Sequence, residues 1–289
     1  MNGILLVDKP SDWTSFDVVN KLKRVYHTGR IGHSGTLDPM ATGLLVVFIG
    51  RATRAVEYAE ADRKRYIASL RLGVTTDTQD TTGHILTEKP VNVDKDQLLE
   101  AISAFTGTYT QIPPMYSAIK VNGQRLYDIA RRGGEVERKG REVTVYRAGL
   151  SGQSGGDYVL DVTCSKGTYI RTLCHDIGAH LGCGGCMSAL RRVSAGMFSV
   201  ENAHTMDEIL SLAAEGREES LLLGTDSLFA ALPAVTLEEA GEKKLKCGSA
   251  LQTDCPDGRY RAYSRNGEFL AVAAVHSGEL KAEKSFFEV

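Results

Sequence analysis

The stretch GHSGTLDPMATGLLVVFIG, residues 32–50, joins a polar turn to an apolar run. Glycine, serine and threonine surround a single acid, Asp38, which Pro39 follows. Proline restricts the residue before it to extended or turn geometry, and glycines let other backbone or a ligand approach closely. Asp38 is therefore either a structural turn residue or a reactive carboxylate, a nucleophile or base. The apolar run 44–50 predicts a buried strand.

Apolar periodicity predicts helices and strands in mixed order. Thr14 or Ser15 caps a helix that reaches residue 26, and residues 64–73 alternate as a half-buried strand. Further helices are predicted at 51–62, 94–105, 168–182 and 205–222 and after the Asn122-Gly123 turn, and further strands at the start of 3–15 and at 141–150 and 157–165. Hairpin-like pairs, rather than strict strand–helix alternation, favour an α+β fold on a mainly antiparallel sheet.

Two local features carry specific expectations. Thr168 is expected to cap the helix at 168–182, and the sequence SGQSGGD at 151–157 is expected to be a polar loop. The composition then changes near 225–235, and short strand patterns with Asn-Gly and Ser-Gly turns follow. A small C-terminal β-rich domain of about 60 residues is expected there, which divides the chain into 1–228 and 229–289.

Composition excludes several classes of protein. The chain has 289 residues, 42% of them hydrophobic and 24% charged, and no apolar run approaches the roughly 20 residues that span a bilayer. No signal-peptide pattern opens the sequence, so we expect a cytoplasmic protein without membrane contact. The six cysteines are expected to be free thiols, and Cys183 and Cys186 of CGGC to lie at a glycine-rich turn. The spacings of phosphate loops, calcium loops and zinc sites are absent, so no metal is expected.

Charge is distributed unevenly along the chain. The net charge is −2, but residues 1–75 carry eleven Lys and Arg against seven Asp and Glu, and residues 116–147 carry eight against four. Residues 200–289 carry nine against sixteen. Two basic segments thus permit a local phosphate-binding surface, whereas the acidic C-terminal region offers little attraction to a polyanion.

The opening stretch resembles the signature of the pseudouridine synthase family that includes the bacterial tRNA pseudouridine synthase B. The blocks that share this resemblance follow in family order: NGILLVDKP, KRYIASLRLGVTTDTQDTTG, QIPPMYSAIKVNGQRLYDIARRG, CSKGTYIRTLCHDIG and LGCGGCMSALRR. The resemblance implies a catalytic domain, 1–228, on an antiparallel sheet, and an RNA-binding, PUA-like domain, 229–289. It also implies isomerisation of the T-loop uridine at tRNA position 55, without cofactor or metal. The N1–C1′ bond breaks and a C5–C1′ bond forms.

The resemblance also assigns roles by motif position. Asp38 matches the essential aspartate, Arg171 the arginine that pairs with it and keeps it ionised, and Tyr66 the tyrosine that stacks on the base and takes part in proton transfer. The substrate-side matches are His33 against the RNA loop, Tyr169 and Leu190 lining the pocket, Asp80 as a polar contact near the base, and Lys9 with Pro10 supporting the active-site loop.

Three functional hypotheses remain distinct at this stage. The first is a tRNA pseudouridine synthase that acts alone, as a monomer, on the T stem-loop after the target base has flipped out of its stack. The second is a tRNA-binding or folding protein whose catalysis is incidental. The third is a guide-RNA-dependent synthase, against which the short, acidic C-terminal region argues. The carboxylate could attack the ribose, attack the ring, or assist formation of a glycal, and the sequence does not choose among these routes.

Overall fold

The computed structural model describes residues 1–59, 63–117, 120–121, 123–130, 132–134 and 136–287. The α-helices of these residues are α1 (Ser15–Val25), α2 (Lys95–Ala104), α3 (Leu126–Ala130), α4 (Ile170–His180), α5 (Met206–Ala214) and α6 (Glu239–Lys246). Short 3-10 helices lie at Gly50–Ala59, Val200–Asn202, Glu218–Leu221 and Thr225–Phe229. None of the described helices is long and apolar enough to cross a membrane.

Most strands belong to one large sheet. The strands before α5 are β1 (Gly3–Lys9), β2 (Ile31–His33), β3 (Thr42–Ile49), β4 (Arg63–Leu72), β5 (Val74–Thr76), β6 (Ile85–Glu88), β7 (Gly107–Gln111), β8 (Lys120–Val121), β9 (Gln124–Arg125), β10 (Arg141–Ser154), β11 (Asp157–Ser165), β12 (Gly185–Ala195), β13 (Phe198–Ser199) and β14 (His204–Thr205). The large sheet has the order β14-β1-β3-β12-β4-β11-β10-β7, with β13 beside β12 and β2 beside β3. Its pairs are antiparallel except β1 with β14 and β12 with β3, so the predicted α+β fold is confirmed.

Strand β4 shows how the sequence pattern sets the sheet. It lies between β12 and β11, and Tyr66, Ala68 and Leu70 project into the core while the residues between them face outward. Helices α2 and α4 cover this buried face, with Leu173 and Ile177 of α4 in the same hydrophobic cluster. The predicted alternation is confirmed, and it places Tyr66 under α4.

Thr14, one of the two predicted caps, occupies the N-cap position of helix α1. The Thr14 hydroxyl accepts a hydrogen bond from the Asp17 amide at 3.0 Å, and the Asp17 carboxylate accepts one from the Thr14 amide at 2.9 Å. This reciprocal capping box satisfies two amides that the helix itself leaves without partners. Ser15 is the first helical residue, and its hydroxyl bonds the backbone of Leu37 instead.

Two local predictions are wrong. Tyr169, not Thr168, occupies the position that caps α4, and no side chain of the helix start makes the cap hydrogen bond. The side chain of buried Gln111 bonds the Tyr169 backbone instead, accepting from its N–H at 2.8 Å and donating to its carbonyl at 3.1 Å. The polar stretch 151–157 is mostly strand, because β10 and β11 continue pairing as far as a turn at Gly155 and Gly156.

Three predicted helices differ in extent. The helix at 51–62 is a 3-10 helix, Gly50–Ala59, and residues 60–62 lie outside the described part. The helix at 205–222 divides into α5 and the 3-10 helix Glu218–Leu221. The helix expected after the Asn-Gly turn is α3, and Asn122 of that turn lies outside the described residues.

The predicted C-terminal β-rich part is confirmed. Its strands are β15 (Ala234–Leu237), β16 (Leu251–Gln252), β17 (Gly258–Ser264), β18 (Phe269–His276) and β19 (Glu279–Ser285), in the order β15-β17-β18-β19-β16. An aromatic cluster joins this sheet to the rest: the Phe269 and Phe286 rings stack at 5.1 Å, and Phe229 meets Tyr58 edge to face at 5.1 Å.

The six cysteines are free thiols in the structure, as the sequence predicted. Cys183 lies in the turn after α4, whereas Cys186 is already on β12, so only the first Cys of CGGC belongs to the turn.

Candidate active site

Asp38 lies in the turn between β2 and β3, which other segments hold in place. The buried Ser15 hydroxyl accepts from the Leu37 amide at 2.9 Å and donates to the Leu37 carbonyl at 3.2 Å. On the other side of Asp38, the Pro39 carbonyl accepts from the Asp12 amide at 2.9 Å and from the Lys9 ammonium at 3.1 Å. The start of α1 and the end of β1 therefore fix the carboxylate from both sides.

The structure brings Arg171 and Asp38 together, as the resemblance implied. Arg171 is in the first turn of α4 and almost fully buried. Its Nη2 donates to Asp38 Oδ1 at 3.3 Å, and its Nε lies 3.0 Å from Oδ2 without the alignment of a hydrogen bond. The Thr78 and Tyr116 carbonyls accept from Nη1 at 3.1 Å and from Nη2 at 2.8 Å. These bonds orient the guanidinium independently of Asp38.

Asp80 supplies a second carboxylate to the same arginine. Its Oδ2 lies 3.5 Å from Arg171 Nη1. Its Oδ1 accepts from the Thr78 hydroxyl at 2.8 Å and from the amide and hydroxyl of Thr82 at 3.0 and 2.6 Å. Asp80 is buried, so Arg171 bridges two carboxylates, and only Asp38 has a partly exposed side chain. The structure thus places Arg171 between the buried Asp80 and the more exposed Asp38.

Burial dominates the acidity of Asp38. It raises the pKa of the Asp38 carboxyl above its ordinary value; Arg171 and Lys9 oppose the rise, and the negative charge of Asp80 adds to it. The Arg171 charge and hydrogen bond both favour the ionised form of Asp38. Arg171 offsets the effect of burial but does not outweigh it.

Tyr66 and Leu190 lie on the neighbouring strands β4 and β12, close to the Asp38 turn. Leu190 of β12 pairs with Ala68 of β4, and both site residues are 8% exposed. They share one hydrophobic cluster with Leu37 and Ala41, which flank the Asp38 turn. Burial raises the pKa of the Tyr66 phenol. A planar base inserted here would meet an apolar wall and an aromatic ring beside the carboxylate.

His33 and Tyr169 lie half-buried at the edge of this site. His33 ends β2, and its Nδ1 accepts from the Gly35 amide at 3.3 Å. Burial lowers the pKa of His33, and the cations Arg192 and Lys64 lower it further, so the ring is neutral at neutral pH. The Arg141 guanidinium stacks 4.6 Å from the centre of the Tyr169 ring.

Lys9 supports the active-site loop from inside the protein. Its side chain is fully buried, and its ammonium donates to the carbonyls of Pro10, Trp13 and Pro39 at 2.8, 2.6 and 3.1 Å. Burial lowers the pKa of Lys9 to about 8, while Asp12 and Asp38 oppose the decrease. Lys9 has no exposed surface with which to touch RNA, so it belongs with the loop supports rather than with the substrate contacts.

Sequence reasoning missed two buried polar residues at the site. Gln111 fixes the backbone at the start of α4, and Arg192 joins β12 to the Asp38 turn through the Gly35 carbonyl at 3.0 Å. Gln111 lies in the block QIPPMY and Arg192 in the block SALRR, and neither position has a local signal. Their partners are distant in sequence, so a local pattern could not reveal them.

Comparison with known proteins agrees with the geometry. A family model of the N-terminal domain of TruB family pseudouridylate synthases matches residues 23–170, and a model of the C-terminal domain of tRNA pseudouridylate synthase B matches 171–230. The chain is 39% identical to tRNA pseudouridine synthase B of Clostridium kluyveri, over 99% of this chain and all of that protein. It is 45% identical to the protein of that name from Syntrophotalea carbinolica, over 86% of this chain and 81% of the other.

A solved structure has the same overall architecture. The crystal structure of a Cbf5-Nop10-Gar1 complex contains a chain that is 25% identical and superposes with a TM-score of 0.71, covering 99% of this chain and 85% of that one. Two family models together span more than half of the sequence, and the curated relatives align over nearly its full length. The chain therefore belongs to the TruB family of pseudouridylate synthases.

Proposed function

We propose that the protein isomerises the T-loop uridine of tRNA, at position 55, to pseudouridine. The observation that carries this proposal is the constellation of Asp38, Arg171 and Asp80 beside the hydrophobic cluster that contains Tyr66 and Leu190. It occurs in a chain whose relatives bear the name tRNA pseudouridine synthase B. The reaction breaks the N1–C1′ bond, turns the uracil and forms a C5–C1′ bond, while the C5 proton is released to solvent and N1 gains one.

Asp38 supplies the reactive carboxylate in this proposal. It is the one acid of the constellation with an accessible side chain, and its turn is fixed on both sides. The carboxylate could attack the ribose or the ring, or assist loss of a ribose proton. Arg171 orients it, and Asp80 in turn holds Arg171 from behind. The site thus resembles a preorganised nucleophile with its orienting group.

The remaining site residues receive the flipped base. A uridine stacked in RNA shields its glycosidic bond, so the base leaves its stack at a cost of a few kcal/mol. Tyr66 would stack on the base, while Leu190 and Tyr169 would line its pocket. Neutral His33, at the rim, would lie against the RNA loop that the base has left. Lys9 would hold the Asp38 turn in place through its bond to the Pro39 carbonyl.

We further propose that the chain acts alone, as a monomer, without guide RNA. The support is the near full-length identity to proteins named tRNA pseudouridine synthase B, which exceeds that to the Cbf5 complex. We place the domain boundary at 228/229, with a PUA-like RNA-binding domain after it. The second family match ends at 230 and the first strand of the small sheet begins at Ala234, which supports that boundary. The acidic charge of residues 200–289 leaves most phosphate contacts to the catalytic domain.

Tritium release tests the proposed function. An unmodified tRNA transcript carrying tritium at uridine C5 loses label only when C5 becomes the bonded carbon. We expect release by the wild type and by Asp96→Asn, an exposed acid at the start of α2, but not by Asp38→Asn. RNA binding by Asp38→Asn should remain nearly normal, and Arg171→Lys should lose most activity because lysine cannot form the same fork.

The alternatives give different results. Full turnover by Asp38→Asn would refute the catalytic assignment. Tight tRNA binding without release of label by the wild type would favour the tRNA-binding or folding protein. Release that requires an added guide RNA would favour the guide-dependent class.

A further inference from the structure

Arg192 has a buried guanidinium group, and the proposed reaction does not use it. It lies on β12 and is 2% exposed. Its Nε donates to the Leu44 carbonyl at 2.6 Å and its Nη2 to the Gly35 carbonyl at 3.0 Å. Within the described residues it forms no ion pair with a carboxylate, so neutral carbonyls satisfy its hydrogen bonds but do not neutralise its charge. Burying a charge without an opposite charge beside it is costly.

The strand register aims Arg192 at Tyr66. In the antiparallel pair of β12 and β4, Arg192 lies directly opposite Tyr66, and opposite residues project from the same face. Arg191, the preceding residue, lies opposite Ile67 and projects from the other face, where it forms a two-pronged ion pair with Asp8 at 3.0 and 2.7 Å. Adjacent arginines therefore have different environments, and Arg192 is the one on the active-site face.

The groups around the Tyr66 phenol have opposing effects on its pKa. Burial raises its pKa; Arg192 lowers it through charge and hydrogen bonding, and Cys164 and Asp38 raise it. Lys64 stands near Gly35, so the loop beside Arg192 is positively charged as well. Arg192 therefore opposes the effect of burial on the Tyr66 pKa.

We propose that Arg192 is a positioning residue that acts through Tyr66: from its place opposite Tyr66 in the sheet, and held by its bonds to Leu44 and Gly35, it fixes the orientation of the phenol relative to the Asp38 turn. The same side chain holds the Asp38 turn through Gly35, so one guanidinium sets the distance between the carboxylate and the tyrosine. The inference rests on the proposed function for its effect on turnover, but its effect on Tyr66 is measurable without any reaction.

The first test measures Tyr66 itself. The full chain is labelled with 3-fluorotyrosine, whose phenol is more acidic than that of tyrosine, and the Tyr66 signal is assigned by its loss in Tyr66→Phe. We expect the fluorine resonance of Tyr66 in Arg192→Gln to titrate at a higher pH than that in the wild type, because the neighbouring positive charge is lost. In Arg191→Gln, the matched control, the titration should be unchanged. Equal titration of Tyr66 in folded Arg192→Gln and in the wild type would overturn the proposal.

The second test separates turnover from binding. In single-turnover tritium release at saturating enzyme, Arg192→Gln should lose about tenfold or more in rate while its tRNA dissociation constant stays near that of Arg191→Gln. A rate loss explained entirely by weaker binding would overturn the proposal. If the wild type released no label, the proposed function would fail, and the fluorine titration would still decide whether Arg192 acts on Tyr66.

A conservative variant covers the case in which Arg192→Gln does not fold. Arg192→Lys keeps the charge but not the two carbonyl bonds, so its Tyr66 titration should stay closer to that of the wild type while its rate falls below that of Arg191→Lys. Equal rates in Arg192→Lys and Arg191→Lys would overturn the positioning role.

Discussion

Asp176, on α4, should destabilise the native protein at neutral pH, and Asp176→Asn should therefore stabilise it. The carboxyl lies half-buried in the wall of a cleft of about 570 Å³, near Tyr109 and His180. Burial raises the pKa of Asp176 from 3.8 to about 6. No ion pair or hydrogen bond from the described residues compensates the charge. An amide of the same shape removes the ionisation and keeps the packing.

The sign follows from proton linkage. Between pH 3.8 and about 6 the folded state holds the Asp176 proton more tightly than the unfolded state does, so stability falls as pH rises through this window. At about 1.4 kcal/mol per pH unit the full penalty is about 3 kcal/mol above pH 7. Partial solvent access reduces it, and we expect Asp176→Asn to gain about 2 kcal/mol at pH 7 and about half of that at pH 5.

Urea unfolding at the two pH values measures this difference, with thermal unfolding expected to shift upward by about 4–8 °C at pH 7. Asp254→Asn, an exposed acid in the loop after β16, is the control and should change little at either pH. A gain of equal size at pH 5 and pH 7 would show that ionisation of Asp176 is not the cause. A loss of stability at pH 7 with an unchanged denaturant dependence would show that the ionised Asp176 does not destabilise the folded protein.

Three further predictions concern the close approach of two strands, the packing between the two sheets and the acidity of Asp38. Gly43→Ala should lower the free energy of unfolding in urea by about 3 kcal/mol or more, because the φ of Gly43 is +97° and an added Cβ would clash with the Arg192 carbonyl oxygen. Gly107→Ala is the control: its φ is +106°, but nothing lies near an added Cβ, so it should cost less. Phe229→Ala should cost about 3–5 kcal/mol, because its ring joins the small sheet to the large one; denaturation followed by fluorescence measures this. In the proposed reaction Asp38 acts in its ionised form, and its pKa is raised. As the pH is lowered, the rate of single-turnover tritium release should therefore begin to fall at a higher pH than the pKa of an ordinary carboxyl would predict.

The sequence predicts elements well where the determinants are local. Helix α1 follows from Thr14 and the apolar spacing after it, and β4 follows from strict alternation through Tyr66. The strand β10 runs further than predicted because its polar end pairs with β11 through the backbone, which requires no apolar side chain. The start of α4 was misassigned because its anchor, Gln111, lies far away in the chain.

The candidate site divides in the same way. The local pattern around Asp38 singles out that residue but leaves it undecided between turn and catalyst, and the partners Arg171 and Tyr66 came only with the resemblance. Folding adds what no local pattern contains: the buried carboxylate of Asp80 behind Arg171, and the burial that raises the pKa of Asp38. Both depend on which segments the sheet brings together.

The geometry of the site depends on one short contact in that sheet. The turn with Asp38 enters β3, whereas Tyr66 is on β4, and β12 lies between these two strands. The pairing of β3 with β12 is parallel and covers only Thr42 with Arg191 and Gly43 with Arg192. A shift of one residue there would turn every side chain of β3 to the opposite face. Gly43 permits the close approach of β3 to β12, and the Arg192 bonds to Leu44 and Gly35 fix the register of the two strands. The few residues that join β3 to β12 therefore also set the spacing between the Asp38 carboxylate and the Tyr66 phenol.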